Sequence, residues 1–538
     1  TAEGEDTTIT TNIKPFIPLM SSTILRVLLS ISIRHTTSFS SSNAFVPSIL
    51  WQDLKRSSKM TKQQTSSALR MSACSNTSNF HSSTNTSSST AEQSFSSYLT
   101  SISSQVQKNL VEKNDTVESF NNIIMGNEAG DADSIISSLA LAYVKSMEKK
   151  DASDECTNFT PIPVISVNRD DMPLRRDVVQ LLRMAGIDNY EELIYLDDPW
   201  PLSIMGNADT SPNESSGGKS ISLVDHNKIR SNLWHLEQYV EEIFDHHQDE
   251  NFHLDSVKIR EVAFSGQKAL VGSTCTLIVE RMMKTRQSSA KSNTSDQYNL
   301  DAGLGIALLG VILLDTMNMN PEASKGTERD ESAIDYLMNN SDWEMLRIET
   351  KEQIRSNRNN ELMVPDRAKL YEYIRDSKFD RTFWKEMSAR DAMRIDYKRF
   401  EPTSSSSDGK SNDAFGLSSV LLDLDDMLVK KDFLSTAVKF MNEFEVGTLG
   451  IMCMVIVDDR PQRELLLIGD ASSEVESLAT YLTSDNAAEF LDISLVEDFT
   501  ETAQQDAVDG YTIKRFQQGN PKGSRKQLAP LILSFFSS

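Results

Sequence analysis

Cysteine is scarce in this chain. There are four, Cys74, Cys156, Cys275 and Cys453, and no two are close enough for a Cys-x-x-Cys metal knuckle. That argues against structural zinc and suggests a reducing compartment, with two long-range disulfides as the alternative. No apolar run approaches the ~20 residues of a membrane span. Positive charge is also in deficit: 54 Lys and Arg face 78 Asp and Glu, a net charge of −24 over 538 residues. Such a chain is a poor general binder of nucleic acid or anionic lipid. A polyanionic ligand needs local neutralisation, by metal ions or a small basic cluster. Aromatic residues make up only 7% of the chain, while the hydrophobic 38% suits a water-soluble globular protein with room for two to four domains.

Only seven histidines are present, and four of them fall within residues 226–247, three of these (His226, His246 and His247) in clusters with acids. The stretch Glu242-Ile243-Phe244-Asp245-His246-His247 is an apolar run that ends in an acid and two imidazoles. Three further acidic clusters also follow apolar segments: Asn127 to Ser134 with Asp131 and Asp133, Leu223-Val224-Asp225-His226-Asn227, and Leu313-Leu314-Asp315-Thr316. Asp-x-Asp before a helix commonly serves as a cap. An acid that closes a long apolar run, as Asp315 does, is expensive unless paired or metal-bound. Carboxylates mixed with imidazole favour Mn²⁺ or a Mg²⁺/Mn²⁺ pair.

The periodicity predicts a helix over 98–120, then strands near 122–126, 163–167, 192–196, 221–224 and 257–264, with helices at 134–150, 175–186 and 274–284. Leu304 to Leu314 fits a helix or a strand. Alternating strands and helices predict a mostly parallel, doubly wound sheet with its site at the carboxyl ends of the strands. The expected organisation is a catalytic domain at 98–335, a helical linker at 336–369 and a smaller C-terminal α/β domain at 370–538, with the site in the cleft between them. Residues 1–97 read as a disordered or targeting extension rich in Ser, Thr and Asn. Within it, residues 20–70 resemble a bipartite plastid-targeting peptide. The alternative is an upstream extension before a start at Met60 or Met71, which leaves a cytoplasmic protein.

The ordered set Gly126-Asn127-Glu128-Ala129-Gly130-Asp131-Ala132-Asp133-Ser134, Leu223 to Asn227, Asp245-His246-His247, Val271 to Thr276 and Leu313 to Thr316 resembles the DHH phosphoesterase superfamily. The branch is that of eukaryotic exopolyphosphatases and prune-type proteins, related to family II inorganic pyrophosphatases. Asp396-Tyr397-Lys398-Arg399-Phe400, Phe415 to Ser419 and Ser524 to Pro530 are similar to the DHH-associated second domain. The resemblance implies that Asp131, Asp133, Asp225, His246 and Asp315 hold two divalent cations, Mn²⁺ or Mg²⁺, with Asp225 bridging them. It puts His247 and Asn127 on the substrate side, with Lys398, Arg525 and Lys526 as phosphate-binding cations. Asp225 and His247 are the catalytic candidates.

Pyrophosphatases of this superfamily have His where Asn127 stands, and exopolyphosphatases have Asn, so the resemblance implies release of terminal orthophosphate from inorganic polyphosphate. The hydroxide would come from a water bridging the two cations. Pyrophosphate hydrolysis, phosphodiester hydrolysis of cyclic nucleotides or oligonucleotides, and a prune-like interaction role are the alternatives. Arg169, Arg175 and Arg176 are read as a possible extension of the basic lining, His226 as a residue orienting its neighbour, and Ser273 and Thr276 as helix-start or phosphate contacts. Cys275 is read as packing. Neither nucleic acid nor membrane is expected as a partner, and the oligomeric state is left open.

Overall fold

The computed structural model describes residues 93–112, 122–151, 160–198, 219–290, 299–356, 363–401, 414–457, 460–470, 473–484, 490–499 and 510–537. The expected extension therefore lies outside the described residues as far as 92. From Phe95 the chain is already helical (Phe95–Glu112), with Phe95 and Leu99 fully buried.

The first sheet has five parallel strands in the order β2-β1-β3-β4-β5: β1 Asn122–Met125, β2 Pro161–Val164, β3 Ser220–Val224, β4 Val240–Asp245 and β5 Ile259–Val262. The strand side chains alternate between two cores. Ile124, Val224 and Phe244 join one, and Ile123, Met125, Leu223 and Ile243 the other. A parallel sheet covered on both faces needs such near-continuous apolar strands. Pro161 and Pro163 lie on β2, an edge strand, where a missing N–H is tolerated. The chain leaves β1 toward β2 and returns to β3 on the other side. The carboxyl ends of β1 and β3 therefore flank the reversal point of the winding, where such sheets form a crevice.

The strand expected at 192–196 needs correction. Leu193 to Leu196 forms no full strand. A single bridge joins Tyr195 to Ile165, and the Tyr195 N–H turns instead to Asp198 Oδ2 at 2.9 Å. The apolar run at 304–314 is a helix, Ala302–Asp315, capped by Asp301, and its periodicity is invisible because it is buried on all sides. A small hairpin, β6 Phe264–Ser265 with β7 Lys268–Ala269, leads into the helix Thr274–Ala290. The segment expected as a linker is not free-standing. Leu337, Trp343, Leu346 and Ile354 sit in the first core, and so do Leu370 and Ile374 of the helix Arg367–Lys378. The second core begins only at Trp384.

The second sheet is mixed and six-stranded, in the order β12-β13-β11-β10-β9-β8: β8 Tyr397–Phe400, β9 Phe415–Val420, β10 Thr448–Val457, β11 Arg460–Asp470, β12 Ile493–Asp498 and β13 Tyr511–Gln518. The helix Arg525–Phe536 starts with a capping box. The Ser524 hydroxyl meets the first-turn amides, and Gln527 Oε1 accepts from Ser524 N at 2.8 Å. That cap puts Lys526 in the first turn. No helix among the described residues is long and apolar enough to cross a membrane.

Candidate active site

The loop after β1 carries the first acids. Asn127 is buried and its amide is fully used: Nδ2 donates to Asp225 Oδ2 at 2.6 Å and to Asp225 O at 3.1 Å, while Oδ1 accepts from the amides of Ala129 and Gly130. Asn127 thus holds the acid of β3 and has no amide atom left over for a phosphate. Asp225 sits at φ 62°, a left-handed conformation that Asp tolerates better than most residues. The grip of Asn127 and the bond from Asp225 N to Phe244 O at 2.9 Å hold it there.

Asp131 caps its own helix through Ser134 N at 3.0 Å. Asp133 does the same for another helix. Its oxygens accept from Ser273 Oγ at 2.7 Å, Thr274 N at 2.7 Å and Cys275 N at 3.0 Å, where the helix Thr274–Ala290 starts. Ser273 is therefore an anchor for an acid. Thr276 Oγ1 donates instead to Asp330 Oδ1 at 2.6 Å, away from Asp133. Cys275 is buried and free.

In the Asp-His-His turn, Asp245 is the peg. Its Oδ1 accepts from the amides of His246 and His247 and from His247 Nδ1 at 2.8 Å, and its Oδ2 from Asn227 Nδ2 at 2.5 Å. His246 Nδ1 meets Val271 O at 3.2 Å, which assigns the proton to Nδ1 and leaves the Nε2 lone pair facing the acids. That Nε2 lies 3.5 Å from Asp225 Oδ1 and 3.7 Å from Asp133 Oδ2. His247 Nδ1 lies 3.5 Å from the same Asp225 oxygen. His226 bonds to Val224 O at 2.9 Å, so it braces the main chain rather than a neighbouring carboxylate.

These acids feel one another. Burial, then Asp131, push Asp133 up to about 6. Burial, then Asp131 and Asp133, push Asp225 well above the usual carboxylate range, and burial with Asp133 and Asp131 does the same to Asp315. Asp131 goes the other way. Burial opposes its charge, but Lys378, the Ser134 amide, Lys398 and Lys526 bring it down to about 2. Burial and then Lys526 hold His247 neutral, at about 4. A divalent cation fits this donor set. Asp225, His246 and His247 offer ligand atoms within 4.8 Å of one another. Oδ2 of Asp315 is buried with no hydrogen-bond partner among the described residues.

The cations expected from the tail separate. Lys526 Nζ lies 2.9 Å from His246 Nε2, across the seam between the two cores. Arg525 is held by Asp396, through Nη1 to its carbonyl at 2.7 Å and Nη2 to its carboxylate at 2.6 Å. Lys398 acts electrostatically on Asp131, Asp225 and His247. Of the arginines read as basic lining, none is free for that role. Arg169 and Arg176 pair with Asp198 and Asp380, and Arg175 donates to main-chain carbonyls. Sequence reasoning missed Lys378, which ends its helix 3.3 Å from Asp177 Oδ2 and within electrostatic reach of Asp131 and Asp315. It stood in a charged helical stretch with no motif around it.

A doubly wound parallel sheet that gathers acids and an Asp-His-His turn at its reversal point, facing a mixed-sheet domain that lends a lysine, defines a two-domain DHH-type protein. Residues 121–336 match the model of the DHH family, N-terminal domain, and residues 379–535 that of the DHHA2 domain. The chain belongs to the DHH phosphoesterase superfamily, in its prune-type branch. It is 23% identical over 422 residues to the Rattus norvegicus protein named exopolyphosphatase PRUNE1, covering 77% of this chain and 75% of that one. The Homo sapiens protein of the same name is 29% identical over 215 residues, 40% of each chain.

Proposed function

We propose that this protein hydrolyses phosphoanhydrides and releases terminal orthophosphate from inorganic polyphosphate, at the seam where the acid cluster meets Lys526 and Lys398. The relatives named exopolyphosphatase support this reading. The observation that carries it is the cluster itself: Asp133 and Asp225, both buried, lie within 3.7 Å of His246 Nε2, and the half-buried Asp131 and Asp315 couple electrostatically to Asp133. Those five residues are the proposed holders of two divalent cations, Mn²⁺ or Mg²⁺. When bound, such a pair supplies a water of lowered pKa and Lewis-acid charge at the phosphoryl oxygens.

The chain's own groups do the rest. Asn127 and Thr274 fix the Asp225 carboxylate, Thr274 Oγ1 at 3.3 Å from Oδ1. Asp245 holds His247 by Nδ1, which leaves the Nε2 lone pair to accept a proton carried on a water or a phosphate oxygen. Lys526 and Lys398 offset the charge of the leaving phosphate chain, and fixed donors of this kind stabilise charge that builds up in the transition state. The second domain thereby gives a chain of net charge −24 the local positive field it otherwise lacks.

The test is turnover by purified protein with Mn²⁺ or Mg²⁺, read as orthophosphate release from long polyphosphate, tripolyphosphate and pyrophosphate and as AMP formation from cyclic AMP. The reading predicts turnover of the two polyphosphates. Turnover of cyclic AMP alone, or of none of the four, would overturn it.

A further inference from the structure

Arg175 joins two segments that each hold part of the site, and we propose that it is a positioning residue that sets Lys398 against the acidic loop at 127–131. Arg175 lies between the turn Arg169–Leu174 and the helix Arg176–Met184 and is 4% exposed. Its Nε donates to Gly130 O at 2.6 Å and Nη1 to Asp171 O at 3.0 Å. Its Nη2 donates to both Ala129 O at 2.7 Å and Ile395 O at 2.8 Å. All four acceptors are main-chain carbonyls. Arg175 therefore fixes backbone, and only a planar fork with several donors can reach acceptors in such different directions.

Two of those carbonyls belong to the loop whose Asn127 grips Asp225 and whose Asp131 lies within electrostatic reach of Lys378, Lys398 and Lys526. The fourth, Ile395, stands three residues before Lys398. The same loop also holds the far side of Lys398, because Glu128 Oε1 accepts from Arg399 N at 2.9 Å. Lys398 is thus suspended between two ties to one loop. A third strap lies alongside, where Arg394 meets Asp171 at 2.7 Å. The loop reaches Arg175 because residue 130 is glycine. Its φ is +54°, and a Cβ there would stand 2.2 Å from Val167 Cγ1 and 3.5 Å from Arg175 Nε. A small shift of the loop would move Lys398 relative to Asp131 and Asp225, whose charge it offsets. Misplacement on that scale is enough to slow a reaction that depends on position.

This inference rests on the hydrolase reading, and a double-mutant cycle separates the two. Arg175→Lys, and separately Glu128→Ala, are made in the wild-type and Lys398→Ala backgrounds, and kcat/KM is measured on long polyphosphate. Each change alone should lower kcat/KM by about tenfold or more, and in the Lys398→Ala background by less than about threefold. The fall in melting temperature should be the same in both backgrounds. Equal fold losses in the two backgrounds would overturn the inference and leave both residues merely structural. If Arg175→Lys does not fold, Glu128→Ala, at a half-buried position, carries the cycle alone. A wild-type protein that releases no phosphate removes the hydrolase reading instead. The cycle is then read on pyrophosphate affinity by calorimetry, with the same criterion.

Discussion

Nζ of Lys526 stands 2.9 Å from Nε2 of His246, although 280 residues separate the two in sequence. The lysine belongs to the second domain and the histidine to the turn after β4, so one hydrogen bond spans the seam at the acid cluster. That contact seats the ammonium at the proposed phosphate site, so Lys526→Met should cut kcat/KM on polyphosphate by about 10- to 100-fold, the range for loss of a charge-assisted bond to phosphate. The melting temperature should move little, because the capping box of Ser524 and Gln527 does not use the Lys526 side chain. Steady-state kinetics and a thermal melt of the same preparation check both.

Asp225 is buried among like charges and held in a left-handed conformation by Asn127. Asp225→Asn keeps the shape and the tolerance of that backbone but removes one charge. In chelator its melting temperature should rise by a few degrees, roughly the effect of 1 kcal/mol. With Mn²⁺ the wild type should gain stability by ligand linkage and the variant much less. Thermal melts with and without the metal give both numbers.

His253 sets an acid limit. It is buried and accepts from Ile229 N at 3.0 Å through Nε2, so that nitrogen must stay unprotonated. Burial, then Arg260 and Lys228, hold it at about 4, against ~6.5 in an unfolded chain. Because the folded value is the lower one, unfolding takes up a proton between them. The contribution to stability is complete above ~6.5 and falls as the pH drops toward 4. His226, also held at about 4 by burial, acts in the same window. Melts in chelator from pH 8 to pH 4 should show the loss, and His253→Gln should flatten part of the slope.

Gly130→Ala should destabilise the protein by about 1–3 kcal/mol, combining a left-handed φ with a methyl group 2.2 Å from Val167 Cγ1. Val167→Ala in the same chain should recover the clash but not the backbone strain. Urea unfolding of the single and double variants separates the two parts.

Sequence made the acid clusters legible, because an acid that closes an apolar run is costly wherever it falls, and three of the four runs proved to be β1, β3 and β4. The fourth, before Asp315, could not be assigned by period because the helix is buried all round. Positions whose role depends on distant partners were not legible. Arg175 looked like lining until its carbonyl partners at 129, 130 and 395 came into view. Lys378 carries no motif, and its neighbours Asp177, Asp131 and Asp315 come from separate stretches of chain. The strands β12 and β13 went unread too. At the sheet edge β12 leaves Leu495 and Val496 half exposed, which blurs the alternation that marks a strand.

The most direct measurement is the number of Mn²⁺ ions bound per chain, by titration calorimetry with electron paramagnetic resonance, in the wild type and in Asp225→Asn. The account predicts two ions in the wild type, magnetically coupled through a shared carboxylate, and loss of that coupling with at least one ion in the variant. Equal binding by the two proteins, or no tight binding by either, would contradict it.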